Sequence, residues 1–156
     1  MNTSRRRLLL LLAFAPPALG TAVAAEQRQP LRAGNLEVFY GVIPAEAILG
    51  HAEDHAERKM HEGVPRGASQ HHLIVSLFDA RTRERVIDAT VRARVTEPGL
   101  ASQRKSLEAM TIAGAMTWGN YFRMSGAGPY RIEIEIIRPG STGPVKTAFE
   151  YSHPRR

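Results

Sequence analysis

The stretch YRIEIEII, residues 130–137, decides the fold class, because apolar and charged side chains alternate along its whole length. Ile132, Ile134 and Ile136 share one face of the extended chain with Tyr130, while charged residues occupy the other face. Alternation with a period of two residues is typical of a β-strand that buries one face and exposes the other. The stretch therefore predicts a strand with one face packed on the core and the other face in solvent.

The residues just before this strand predict a particular turn. The sequence AGPY (127–130) places a glycine and a proline directly ahead of Tyr130. In β-sandwich domains a tyrosine at the start of a late strand forms a tyrosine corner, in which the hydroxyl bonds back to the upstream chain. We expect the Tyr130 hydroxyl to make such a bond.

Other short apolar runs alternate with turn residues through the rest of the chain, which is typical of an all-β domain. With the segment at 125–140 they make about seven strands, and each must bury its apolar face against another sheet. The pattern predicts an immunoglobulin-like two-sheet sandwich. The other predicted strands are 35–44, 72–79, 88–95, 106–112, 117–124 and 144–154.

The first 25 residues have the layout of a secretory signal peptide: a basic stretch at 5–7, an apolar run from Leu8, and small residues at 22–25. The apolar run is too short to span a membrane, so the mature chain is expected to be exported, soluble and periplasmic. The letters SRRRLL resemble a twin-arginine export signal, although a run of arginines is also ordinary in a secretory leader.

The remaining chain divides into a flexible mature N-terminus (26–34) and one domain (35–154) that includes an excursion at 44–72. Cleavage removes three arginines and leaves 18 basic against 15 acidic residues, and no basic aromatic patch occurs, so nucleic acid is excluded as a partner. There is no cysteine, so a metal would have to be held by His, Met, Asp or Glu.

Five of the six histidines lie in the excursion, in HAEDHAERKMHEGVPRGASQHH (51–72). On a helix, His51 and His55 would share one face, as in chelation by a helix. His71 and His72 begin a strand and point to opposite faces, so at most one can join a site on a given face. The candidate metal ligands are His51, His55, Met60, His61, His71 and His72.

Imidazole combined with thioether favours copper, with zinc or iron as the alternatives. Among the other methionines Met110, Met116 and Met124, Met116 lies in a predicted turn and is the best placed to add a thioether. The competing interpretation is that 44–72 is a solvated, strongly charged loop with no ligand. The clustering of histidines favours metal binding more than the composition of an ordinary polar loop does. Both interpretations stay open.

Catalytic motifs are weak. His51 is followed by Ala52 rather than by the glutamate that a zinc-protease motif needs, and no nucleophile elbow or glycine-rich phosphate loop occurs. We therefore expect no enzyme activity.

The stretches HHLIVSLFDARTRERVIDATVRARVTEPG (71–99) and GNYFRMSGAGPYRIEIEI (119–136) resemble exported β-sandwich domains of the YtkA-like kind. The resemblance covers about half of the mature chain. It implies a periplasmic domain that accompanies bacterial metal handling, without implying a reaction.

The sequence thus predicts a periplasmic accessory protein that binds or traffics a transition metal, copper being favoured. His51, His55 and His61 would be its primary ligands, and a membrane metal transporter or an oxidase under assembly would be its partner. The alternative is a protein–protein interaction module of the cell envelope that holds no metal.

Overall fold

The computed structural model describes residues 29–51 and 56–154, and in these residues the chain is almost entirely β-structure. Between β2 and β3 lie two short helices, α1 (Ala45–Leu49) and α2 (Ala56–Lys59), and a 3₁₀ turn (Met60–Glu62). The strands are β1 (Leu31–Ala33), β2 (Leu36–Pro44), β3 (Gln70–Asp79), β4 (Thr90–Thr96), β5 (Gln103–Ile112), β6 (Ala115–Arg123), β7 (Tyr130–Ile137) and β8 (Val145–Tyr151).

All neighbouring strands are antiparallel, in the order β1-β2-β3-β6-β5-β4-β7-β8. The all-β prediction is confirmed, and each of the seven predicted strands has a counterpart. The additional strand, β1, lies where the sequence predicts none.

The predicted two-sheet immunoglobulin arrangement is not what the structure shows, because β6 pairs with β3 on one side and with β5 on the other. β5 in turn pairs with β4, so one continuous sheet curls until its first and last strands meet. A Cβ on Gly34, after β1, would lie 3.0 Å from Val145 Cγ1 at the start of β8. The sheet is therefore nearly closed around its interior.

The inner face of this curled sheet carries the core. Tyr130, Ile132, Ile134 and Ile136 are at most 1% exposed, as the alternation predicted. They belong to one apolar cluster with inward side chains of β3, β4 and β6, among them Leu73, Val75, Leu77, Val91, Val95, Trp118 and Phe122. The core is thus continuous through the sheet.

The predicted bond from Tyr130 is present: its hydroxyl donates to the Gly126 carbonyl at 2.5 Å. Burial raises the pKa of the Tyr130 hydroxyl above its ordinary value, so the hydroxyl remains a donor even at alkaline pH.

The connection between β2 and β3 is folded against the outer face of the sheet. Ala45 and Ile48 of α1 are buried against Tyr121 of β6, with Ile43 and Val64 at the margin. Strand β2 ends at Pro44 as predicted, whereas β3 begins two residues earlier than predicted, at Gln70. The connection therefore covers part of one outer surface, next to His72.

The predicted signal peptide at 1–25 and the candidate ligand His55 lie outside the described residues. Within 29–51 and 56–154, none of the helices is long and apolar enough to cross a membrane.

Candidate metal centre

The two adjacent histidines of β3 point to opposite sides of the sheet, as the sequence predicted. His72 pairs with Tyr121 in β6 and stacks on its ring on the outer face, with centroids 4.6 Å apart. His71 lies on the inner side, where its ring is 6.2 Å from that of Tyr151 at the open end of the sheet. Only His72 therefore joins the surface that the connection covers.

His61 of the 3₁₀ turn meets His72 on this surface. The two Nε2 atoms face each other at 3.1 Å, and the ring centroids are 5.1 Å apart. Eleven positions separate the residues in the chain, so the fold of the connection makes the contact. This pair is the centre of the site.

Glu108 of β5 fixes the orientation of the His61 ring. Its Oε2 accepts a hydrogen bond of 2.8 Å from His61 Nδ1. With the proton held on Nδ1, His61 Nε2 presents a lone pair towards His72. A carboxylate that orients an imidazole in this way is the common outer-shell arrangement at metal sites.

The backbone at the turn adopts a conformation that favours glycine. His61 and Glu62 have φ values of 54° and 62°, in the left-handed region. This conformation costs a non-glycine residue about 1–2 kcal/mol. Strained residues of this kind concentrate at functional sites, where the surrounding contacts hold them in place.

Met110 of β5 lies beside the pair. A Cβ placed on Gly119 of β6 would meet Met110 Cε at 2.5 Å and His72 Nε2 at 2.6 Å, so both atoms border the same small space. Met110 is buried yet belongs to neither apolar cluster. The end of its side chain is therefore next to the His72 ring rather than in the core.

The site is closed to solvent at His72, which is 0% exposed. Burial, together with repulsion from His61, lowers the pKa of His72 to about 4. The imidazole is thus neutral at pH 7, which is the form that binds metal ions. His72 Nδ1 has no hydrogen-bond partner within the part of the chain described.

The geometry of the pair suits a shared ion. Two nitrogen ligands at 2.0–2.1 Å from a metal and 3.1 Å from each other subtend roughly 100° at the ion, between square-planar and tetrahedral angles. No three or more His, Asp or Glu side chains converge among the residues described, so the arrangement is two imidazoles with a thioether.

The other candidates have different surroundings. His51 is exposed just after α1, where its carbonyl accepts a bond from Arg58. Met60 starts the 3₁₀ turn and its carbonyl accepts the Gly63 amide, while its thioether takes no part in the hydrogen bonds or ring contacts of the pair. Met116 packs against the main core and Met124 lies inside it. The ligand roles proposed for His51, His55 and Met60 stay predictions.

Two features of the sequence bear on Glu108, which the prediction omitted, and on Met110, which it ranked below Met116 as a possible thioether. Glu108 and Met110 are two positions apart on β5, so they share the outer face of the sheet, where a buried methionine has no core to fill. Gly119 interrupts β6, and glycine inside a strand often marks a close approach by another group. The spacing of Glu108 and Met110 and the glycine at 119 are visible in the sequence, whereas the burial of Met110 is not.

No family model matches the chain, so the resemblance to YtkA-like domains finds no support there, and no curated protein sequence matches it. Several solved structures, in contrast, match the chain. A DUF4426 family protein from Pseudomonas aeruginosa PAO1 is similar with a TM-score of 0.60 at 15% identity, over 81% of this chain and 96% of that one.

Two further solved structures are similar at the same level. A copper-bound variant of FetP from uropathogenic Escherichia coli F11 gives a TM-score of 0.59 at 17% identity, over 80% of this chain and 93% of that one. The copper-reconstituted P19 protein of Campylobacter jejuni gives 0.56 at 15% identity, over 81% and 95%. At such low identity the likeness establishes a common fold.

Proposed function

We propose that this protein binds a transition-metal ion at His61, His72 and Met110 and serves as a metal-binding or trafficking accessory protein of the periplasm. The observation that carries the proposal is the pair of imidazole Nε2 atoms that face each other at 3.1 Å in a buried pocket. His61 is oriented by Glu108, and the neutral His72 ring is held by Tyr121.

Copper is the favoured ion because of the donor set. Thioether and imidazole together suit Cu(I), whereas a site for zinc or iron would more often include a carboxylate or further imidazoles as direct ligands. Glu108 contacts the far nitrogen of His61, which makes it an orienting group. The copper bound in the FetP and P19 structures, and expression of FetP in a periplasm, support the same ion and compartment.

In this proposal the ion is cargo. A membrane metal transporter or an oxidase under assembly would receive it, and no catalytic step is assigned to the protein. The arrangement supports exchange, since His61 lies on a short turn while His72 and Met110 lie on the sheet.

The competing function is that of an interaction module without metal. In that case the hydrogen bond between His61 and His72 would only clamp the connection onto the sheet, as buried polar pairs commonly do. Metal affinity separates the two functions.

The test is competition for Cu(I) against a chromophoric chelator, with mature protein under anaerobic conditions. The His61→Asn and Met110→Leu variants are each expected to weaken Cu(I) binding about tenfold or more. Leucine preserves the volume of methionine, so Met110→Leu removes the sulfur at little cost in packing. Met116→Leu is the matched control, because Met116 packs against the core.

Wild-type protein that binds no more Cu(I) than a His61→Asn, His72→Asn double variant would end the proposal. An equal effect of Met110→Leu and Met116→Leu would remove Met110 from the ligand set. Parallel titrations with Zn(II) and Fe(II) rank the ions.

A further inference from the structure

The outer face of the strands β5, β4, β7 and β8 carries a cationic groove, apart from the side chains of the candidate metal centre. The cavity has a volume of about 340 Å³. Its basic side chains come from all four strands, and they are Arg92, Arg94, Arg104, Arg131 and Lys146. They are 45–66% exposed, so their charged ends reach solvent.

The register of the strands brings these side chains to one face. Arg92 and Arg94 of β4 lie opposite Glu135 and Glu133 of β7, and on its other side Arg94 lies opposite Arg104 of β5. Side chains of directly opposite residues in an antiparallel pair point to the same face. The residue between Arg92 and Arg94 is in the core, so the charged side chains project from the outer face.

Two carboxylates lie among the basic groups and neutralise only part of their charge. Glu135 has three basic neighbours at 3.2–3.4 Å, which are Lys146, Arg92 and Arg104. Glu133 has two, at 3.6 Å and 3.9 Å, which are Arg131 and Arg94. Five basic against two acidic side chains leave an excess of three positive charges, and counting Glu150, opposite Arg131 in β8, leaves two.

The cationic groove already holds one carboxylate in the way that it could hold others. Glu135 is only 15% exposed, and the hydrogen bond from Lys146 is the largest cause that keeps its pKa below the ordinary value. Elsewhere in the groove Arg94 faces Arg104, and like charges directly opposite each other destabilise a sheet. A further carboxylate between these arginines would relieve the repulsion, since guanidinium groups bind carboxylates through paired hydrogen bonds.

The dimensions and lining of the cationic groove favour a peptide over other anions. Neighbouring strands lie about 4.8 Å apart, so four strands span about 14 Å, the length of roughly four residues of an extended peptide. A single small anion would meet only part of this width. The flat surface of a bilayer does not fit a concave groove. No aromatic side chain, on which nucleic-acid bases would stack, is among the described residues that line it.

We infer that the cationic groove is a docking site for an extended segment of a partner protein that is rich in aspartate or glutamate. The carboxylates of the segment pair with the arginines at the rim of the groove. Arg104 lies four positions before Glu108 on the same outer face of β5, about 13 Å along the strand. The docked segment therefore lies beside the candidate metal centre, and docking does not require an ion there.

The test is fluorescence anisotropy with metal-free mature protein and a labelled decapeptide of alternating serine and glutamate. The same peptide with glutamine in place of glutamate is the neutral control and should not bind. The double variant Arg92→Gln, Arg104→Gln is expected to weaken binding of the acidic peptide about fivefold or more. The matched control Arg81→Gln, Arg123→Gln removes the same charge at exposed positions outside the groove and should change binding less than about twofold. Glu135→Gln should strengthen binding about twofold, because it removes the carboxylate that competes for the same arginines.

Equal weakening in the two double variants would mean that net charge alone attracts the peptide, and it would overturn the docking site. Two further measurements distinguish other occupants. Binding of phosphatidylglycerol vesicles in place of the peptide, or a dimer that dissociates in Arg92→Gln, Arg104→Gln, would assign the groove to a membrane or to a second copy and would also overturn the inference. Because the protein is metal-free, none of these results bears on Cu(I) binding by His61, His72 and Met110, which the chelator competition tests separately.

Discussion

At the residue scale, His72 is the group on which both the charge and the proposed coordination at the candidate metal centre depend. It is fully buried, and its ring lies between those of Tyr121 and His61. Protonation of His72 would place a charge in a closed pocket and remove the lone pair that an ion needs. The same residue therefore links pH to stability and, in the proposed function, to metal binding.

The metal-free protein is expected to lose stability as the pH falls. The pKa of His72 is about 4 in the fold against 6.5 for an ordinary histidine, so between these values the unfolded chain binds more protons. The contribution of His72 is complete above about pH 6.5 and is lost progressively towards pH 4, up to about 3 kcal/mol. Urea unfolding at about pH 7.5, 6 and 5 measures this change.

In His72→Phe the slope of stability with pH should be smaller, because the ring still packs on Tyr121 but cannot titrate. The slope that remains includes the contribution of His71, whose pKa burial also lowers. Identical slopes in wild type and His72→Phe would contradict the assignment to His72.

At the scale of elements, the candidate metal centre on the outer face of the sheet depends on the pairing of three strands. His72 of β3 and Glu108 of β5 are brought together because β6 lies between these strands and pairs with both. Gly119 on β6 is opposite Glu108 in the register, and its missing side chain leaves the space that Met110 and His72 border. The glycine is thus part of the site without being a ligand.

Gly119→Ala is expected to weaken Cu(I) binding about tenfold or more and to cost about 1–3 kcal/mol of stability. The added Cβ would lie 2.5 Å from Met110 Cε, 2.6 Å from His72 Nε2 and 3.1 Å from the Leu73 carbonyl oxygen, so these groups must separate. Gly41→Ala in β2 is the matched control, since a Cβ there meets nothing within 4 Å. Chelator competition and urea unfolding are measured on both, and equal effects would contradict the steric argument.

The strands themselves could be predicted, because alternation along a segment such as 130–137 is a local property. The pairing of β6 with both β3 and β5 could not, since it depends on register between distant segments. The residues of the candidate site were only partly predictable for the same reason, because they come from segments that are distant in the sequence. The clustering of histidines identified His61 and His72, whereas Glu108 and Met110 come from a strand more than thirty residues further along.

At the scale of the whole molecule, the proposed metal binding would be coupled to folding. His61, His72 and Met110 meet only when the sheet has curled and the connection has packed on its outer face through Ala45 and Ile48. The unfolded chain offers no such arrangement, so an ion bound here favours the folded state.

Bound Cu(I) is expected to raise the free energy of unfolding by about 2.7 kcal/mol when the free ion is one hundred times its Kd. Chemical unfolding is measured once without Cu(I) and once at a buffered concentration of free Cu(I), and the difference between the two free energies gives this value. The His61→Asn variant at the same free Cu(I) should show a smaller gain. Stabilisation of equal size in both proteins would mean that the ion acts elsewhere in the chain.

In the proposed function, the left-handed turn at His61 and Glu62 has a consequence for release of the ion. Its strained backbone is restrained by the contacts of His61 with Glu108 and His72, so lifting this one turn would detach one ligand while the sheet kept the other two. A docking protein that displaced the turn could supply a ligand at the coordination position of His61 before the bonds from the ion to His72 and Met110 broke. The ion would then be transferred directly to the docking protein without being released into solution.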